Sequence, residues 1–253
     1  MKVLGCDPSL TNFGWALHDT DGAGPGRCLE RGRFKTSSKT LFVERYCEMR
    51  ANVAGLVKRV GVSRVGVEYP IFNDLWSEGM YGLFLYTCEA LRAAQVDVVF
   101  FSPGQVKGHA RDLPVTTIDP GSGISSTGPF RPGNWKMEKP DMVEAARADT
   151  GGKGNWNHNE ADAYWVARTA GRFWLFHDGL LTVDDLTARE RKQFADVRTI
   201  ERGARAGTVE KKGILYREDE RFFLWAKEKT KLDYASWQGG LLEDEENGDH
   251  EES

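Results

Sequence analysis

Acidic side chains stand at three places where the sequence closes or opens a regular element. Asp7 ends the apolar run Val3-Leu4-Gly5-Cys6, Glu68 ends Val65-Gly66-Val67, and Asp162 lies in Asn159-Glu160-Ala161-Asp162-Ala163, which opens a helical pattern. Two carboxylates at neighbouring strand ends repel each other, and one keeps its proton unless a cation lies between them. A divalent ion is the usual solution, and an all-oxygen donor set favours Mg2+ or Mn2+. Helix positions three or four apart share a face, so Asp162 shares one with Asn159 and His158 while Glu160 points elsewhere. Ala163, Val166, Ala167 and Ala170 set the apolar side of that helix; Asp162 borders it and is expected to face the sheet. Taken singly, each residue also has a structural reading. Asp-Pro starts turns, Glu68 would serve as an exposed strand-end acid, and Asn159 and Asp162 suit a helix cap and first turn. Their joint occurrence at three compatible element ends is what points to a site.

The elements that must position these acids follow from periodicity. Residues 2–6, 14–18 and 27–35 read as three strands joined by short turns, an antiparallel meander. Leu41, Phe42, Tyr46, Met49, Val53, Leu56 and Val57 recur at three- and four-residue steps and predict a helix within 38–60. A short strand at 65–68, a helix over 78–94 and a buried strand at 96–101 follow, then helices at 140–148 and 159–173. Strands separated by helices imply parallel crossovers. The expected fold class is therefore α/β, a mixed five-stranded sheet flanked by helices. In that topology the fourth strand can lie parallel to the first, which makes Asp7 and Glu68 neighbours. Residues 111–138 fit neither period and read as one long loop. Beyond 175 the pattern changes: Asp185–Val197 looks helical with Thr187 as cap, and 203–223 carries hairpin signals. The expected divisions are 1–175 as the main domain, 176–240 as a C-terminal helical and hairpin extension, and 241–253 as a disordered acidic tail.

Composition excludes several classes. The 253 residues are 40% hydrophobic and 28% charged, as in a globular protein, and no apolar run approaches a membrane span. Asp7 follows the start too closely for a secretory signal, and the four cysteines lack metal-type spacing, so reduced thiols in a cytosolic compartment are expected. The net charge of −4 hides an asymmetry. Residues 241–253 hold seven acids and no Lys or Arg; the 38 acids less these seven leave 31 against 34 basic residues in the body. Nine Lys and Arg crowd 189–217 against four acids, a pattern that fits either a nucleic-acid footprint or a solvated helical face.

Five motifs in order carry a resemblance. Gly5-Cys6-Asp7-Pro8-Ser9-Leu10-Thr11-Asn12-Phe13-Gly14-Trp15-Ala16 resembles the first motif of RuvC-type Holliday junction resolvases, and Val65-Gly66-Val67-Glu68 is similar to their second acidic strand. Ser102-Pro103-Gly104-Gln105-Val106-Lys107, Lys139 with Met142 and Val143, and Asn159-Glu160-Ala161-Asp162-Ala163 are similar to their later motifs. The resemblance covers residues 1 to about 173; the enlarged 111–138 segment and the long C-terminal region suggest a phage-type variant. It implies an RNase H-like fold and a homodimer that cuts four-way DNA junctions with two Mg2+ ions per site (Mn2+ substituting), leaving 5′-phosphate and 3′-hydroxyl ends. By position it makes Asp7, Glu68 and Asp162 metal ligands and catalytic residues. Lys107 becomes a catalytic and phosphate-binding residue, and Lys139 a DNA contact. The family has Asp or His three residues before the last acid; this chain has Asn159, with His158 as a substitute. An aromatic after the second acid unstacks bases in the family; Phe72 lies near that place and Tyr69 competes with it. The helix at 78–94 is expected to supply the dimer contact. The expected setting is the cytoplasm of a bacterial or phage-infected cell, with no membrane partner. Other readings of the same acids are a non-catalytic branched-DNA-binding protein, an RNase H-like nuclease acting on RNA–DNA hybrids and, ranked lowest, a sugar-kinase-like ATPase.

Overall fold

A computed structural model describes residues 1–20, 26–69, 78–118, 125–152, 154–195, 197–199, 209–211, 215–216 and 222–224. The N-terminal meander forms as expected: β1 (Lys2–Asp7), β2 (Asn12–Asp19) and β3 (Arg27–Lys35) pair antiparallel in sequence order. Helix α1 (Phe42–Val60) leads to β4 (Arg64–Glu68), and α2 (Glu78–Ala93) leads to β5 (Asp97–Phe101). Both crossovers return parallel, β1 to β4 and β4 to β5. The resulting order β3-β2-β1-β4-β5 is the mixed five-stranded sheet read from the sequence. Two short strands from the C-terminal region, β10 (Leu215–Tyr216) and β11 (Phe222–Leu224), form a hairpin that adds to the β5 edge, β11 running parallel to β5.

Helix α1 buries Tyr46, Met49, Val53, Leu56 and Val57, the residues whose spacing predicted it. It stops at Gly61, which takes the left-handed conformation (φ 64°) and donates its N–H to the Val57 carbonyl; glycine adopts that geometry without a Cβ penalty. Helices α1 and α2 cover one face of the sheet, packing on Leu4, Cys6, Val65, Val67, Val98 and Phe100. The other face, with Val3, Val99 and Phe101, lies under α3 (Pro103–Arg111), α4 (Lys139–Asp149) and α5 (His158–His177). Residues on alternate strand positions thus serve opposite layers. Trp165 and Trp174 of α5 are fully buried, and Leu181, Leu186 and Phe194 beyond it join the same core.

Two segments differ from the sequence reading, and a third, helix α3, falls on residues to which periodicity assigned no element. Pro103 suits a first helical turn, and the Gln105 side chain accepts from the Ser102 N–H at 2.6 Å. The 111–138 segment is not a single loop; β6 (Pro114–Ile118) and β7 (Ser125–Pro129) form a separate antiparallel pair. Their Thr and Ser residues show no apolar alternation, which is why the period was silent. Residues 185–197 are not one helix but short turns over 183–185 and 188–195, followed by β8 (Val197–Thr199) paired with β9 (Val209–Lys211). Thr187 does cap Ala188–Glu190, its hydroxyl accepting from the Glu190 N–H at 3.2 Å. All four cysteines are free. Among the described residues no helix is long and apolar enough to cross a membrane.

Candidate active site

Strand pairing brings the first two acids together. The β1–β4 register matches Gly5 with Gly66 and Cys6 with Val67, so Asp7 and Glu68 come next, side by side at the C-terminal ends of parallel strands. Pleat alternation puts both on the α5 face, in line with Gly5 and Gly66, which lie directly under that helix. Helix α5 reaches the sheet closely because Gly5 and Gly14 have no side chain. A Cβ on Gly5 would overlap the Ala163 carbonyl and the Ala167 backbone nitrogen, and one on Gly14 would overlap the Asn159 carbonyl. The start of α5 therefore rests on β1 and β2, and Asp162, in its second turn, is set above the strand ends. The Asn157 side chain opens the helix by accepting from the Asn159 N–H at 3.0 Å.

The three acids also act on one another's charge. Burial and the charges of Glu68 and Asp162 push the Asp7 carboxyl well above the usual carboxylate range, with Lys139 opposing. Glu68 is pushed up to about 8 by burial and Asp162, with Lys107 opposing. Burial pushes Asp162 up to about 6 against the pull of Lys107 and Lys139. Each of the three residues is half-buried. Lys107 on α3 is half-buried, and Lys139 at the first turn of α4 is exposed. Three carboxylates facing two ammonium groups leave an excess of negative charge that a cation would relieve.

A carboxyl whose proton is held more tightly in the folded chain favours the fold while protonated. That contribution is full below the unfolded values, 4.5 for Glu68 and 3.8 for Asp162, and is lost as pH rises through about 6 and about 8. The thermal midpoint of the metal-free protein is therefore expected to fall between pH 4 and pH 8 through these groups, and Mg2+ at pH 8 to raise it again. Glu68→Gln should flatten the upper part of that decline. Thermal unfolding in EDTA across this range measures it; an identical slope in the variant would contradict the coupling.

Among the described residues, no three acid, histidine or cysteine side chains gather tightly enough to form a ready-made cage for one ion. The carboxylates are close enough to raise one another's proton affinity, so an ion would draw them together rather than enter a finished shell. Their chemistry fits a hard cation such as Mg2+ or Mn2+: the oxygens are anionic, and Cys6 lies in the core on the other face of the sheet.

The remaining sequence candidates separate clearly. Asn159 is buried, and its Nδ2 donates to the Asn12 carbonyl, a tether from α5 to β2 that favours a positioning role over coordination. His158 is half-buried; burial, Lys139 and Arg33 push its imidazole below the ordinary value, which keeps it neutral. Tyr69 is corrected: its ring is packed edge-on against Phe84 and Phe100 in the α2-side core, so it is not placed as an exposed wedge. Phe72 lies outside the described residues. Glu160 points away from the acids, as its helix position required, and is paired with Arg33 (3.2 Å) and Arg31 (3.3 Å) of β3. Those two arginines were missed in the sequence, and only their alternate spacing on a strand offered a signal. Of the basic cluster at 189–217, Arg189 is half-buried, bonded to Asp112 at 2.6 Å and lying over Gly108 of α3. The same segment places Gln193 against the buried His109 and Glu190 against Arg172 (2.8 Å).

The molecule is α/β, with carboxylates at the carboxyl ends of two central parallel strands. No protein-family model matches the chain, and no curated protein matches its sequence. Solved structures do match its fold. RuvC from Thermus thermophilus in complex with a Holliday junction substrate aligns with a TM-score of 0.53 at 22% identity, covering 71% of this chain and 98% of that one. The Thermus thermophilus RuvC structure aligns with a TM-score of 0.52 at 23% identity over the same shares. The fold is thus the one those RuvC structures have.

Proposed function

We propose that this protein is a structure-selective DNA endonuclease that nicks four-way junctions, using divalent ions held by Asp7, Glu68 and Asp162. The observation that carries this reading is the convergence of three acids, Asp7 and Glu68 at adjacent parallel strand ends and Asp162 on the helix seated over them, with Asp162 raising the proton affinity of the other two and Lys107 and Lys139 opposing. The RuvC-like fold supports the choice of substrate, since one of the solved structures it matches was obtained with a Holliday junction.

Mg2+ or Mn2+, when bound, would lower the pKa of an attacking water and neutralise the leaving 3′-oxygen, giving 5′-phosphate and 3′-hydroxyl ends. Asp7 and Glu68 would hold metal from the rigid sheet, and Asp162 from the helix above it. Lys107 stands beside Glu68 and Asp162, where its ammonium would bind a non-bridging phosphate oxygen and offset the charge that develops on it. Lys139 does the same from the Asp7 side. A junction has two equivalent strands to cut, so a twofold homodimer is the assembly proposed. Such a protein would act in the cytoplasm.

A labelled synthetic four-way junction incubated with Mg2+ or Mn2+ tests the proposal. Paired nicks near the branch point, absent in EDTA and absent on linear duplex, are expected. Tight binding without cleavage in either metal would instead indicate a junction-binding protein. Preferential cleavage of an RNA–DNA hybrid would indicate a different RNase H-like nuclease.

A further inference from the structure

The acids are flanked on one side by an unusual row of cations. Arg31, Arg33 and Lys35 occupy alternate positions of β3, an edge strand of the sheet. Gly32 and Phe34 face Trp15 in the α1-side layer; the alternate positions therefore belong to the α5 face. There Arg31 and Arg33 both converge on the single carboxylate of Glu160, leaving one positive charge in surplus, and Lys35 is exposed beside them. The guanidinium of Arg31 is fixed over the Trp156 ring at 3.8 Å, so it is oriented rather than free. Both arginine side chains keep about a quarter of their surface in solvent.

The row is continuous with the acid cluster. His158 is influenced by Arg33 on one side and Lys139 on the other, and Lys139 in turn acts on Asp7 and Asp162. Alternate side chains on a strand repeat every ~6.8 Å, a step comparable to that between successive phosphates of one nucleic-acid strand. From this arrangement we infer that β3 forms a phosphate-binding rail, along which Lys35, Arg33 and Arg31 guide the DNA strand that leaves the acid cluster past Lys139. Glu160 holds the two guanidiniums in place and limits their excess charge. The inference rests on the nuclease reading above and adds the path of the strand to it.

The experiment measures binding of a four-way junction in EDTA as a function of salt, with Asp7→Asn as the parent so that cleavage plays no part. Arg33→Gln is expected to make the slope of log affinity against log salt shallower by about 0.9, and Arg31→Gln with Arg33→Gln by about 1.8. Arg33→Lys should restore the slope. Glu160→Gln should act in the opposite sense, steepening the slope and tightening binding at low salt. A purely structural ion pair predicts otherwise: breaking it from either side lowers the thermal midpoint and leaves every slope at the parent value. That result overturns the rail while the nuclease proposal stands. A parent that binds no branched DNA overturns both.

Discussion

Asp7→Asn is expected to abolish strand cleavage while making the metal-free protein more resistant to heat. Asp7 lies beside Glu68 and near Asp162, and its carboxyl resists ionisation because both burial and like charge oppose it. Replacing it with an amide of nearly equal size removes that repulsion and leaves the β1–β2 pairing intact. The thermal midpoint in EDTA near pH 8 should rise by a few degrees, whereas Mg2+ should stabilise the variant less than it does the parent. Cleavage should fall by at least about 10³-fold, equivalent to about 4 kcal/mol of lost transition-state stabilisation. Junction affinity should survive, because the lysines and arginines proposed to meet phosphate are untouched. Single-turnover cleavage, calorimetry and a binding assay read the three quantities. A variant that cleaves at the parental rate would remove Asp7 from the mechanism.

The largest effect on stability is expected from Gly5→Ala. The added methyl would meet the Ala163 carbonyl, the Ala167 backbone nitrogen and, at 2.7 Å, the Ala167 Cβ. Two of the three obstacles are backbone, so no side-chain rotation relieves them, and the whole of α5 must lift. A cost of about 3 kcal/mol or more follows from overpacking of this kind, which in a chain of this size lowers the midpoint by roughly 6–12 °C. Cleavage should fall beyond what stability explains, because lifting α5 carries Asp162 away from Asp7 and Glu68. Denaturant unfolding with cleavage measured well below the transition separates the two effects. An unchanged midpoint would mean that the helix is not seated on Gly5.

The positions of the three acids were more legible in the sequence than their surroundings were. Asp7 and Glu68 could be placed because apolar runs announce strands and intervening helices force parallel returns. Asp162 could be preferred over Glu160 because helical periodicity separates them by face, and the pairing of Glu160 with Arg31 and Arg33 agrees. What periodicity does not carry is partnership across the chain. The arginines of β3 meet Glu160 127 and 129 residues away, a contact that neither segment announces. Tyr69 was left open for a related reason: an aromatic after a strand-end acid suits an exposed wedge and a core filler equally well, and its contacts with Phe84 and Phe100 favour the core. The β6–β7 pair is rich in Thr and Ser, and its two aliphatic residues, Val115 and Ile118, do not alternate, so no apolar rhythm marks it.

The seating of α5 on Gly5 and Gly14 has a consequence for how such a molecule can change over generations. Because main chain rests on main chain there, the height of Asp162 over the strand ends does not depend on which large side chains fill the rest of the layer. Residues such as Trp165 or Trp174 can drift and repack without moving the three acids, as long as the two glycines persist. A molecule built this way would tolerate wide divergence of its interior while its chemistry stayed constant.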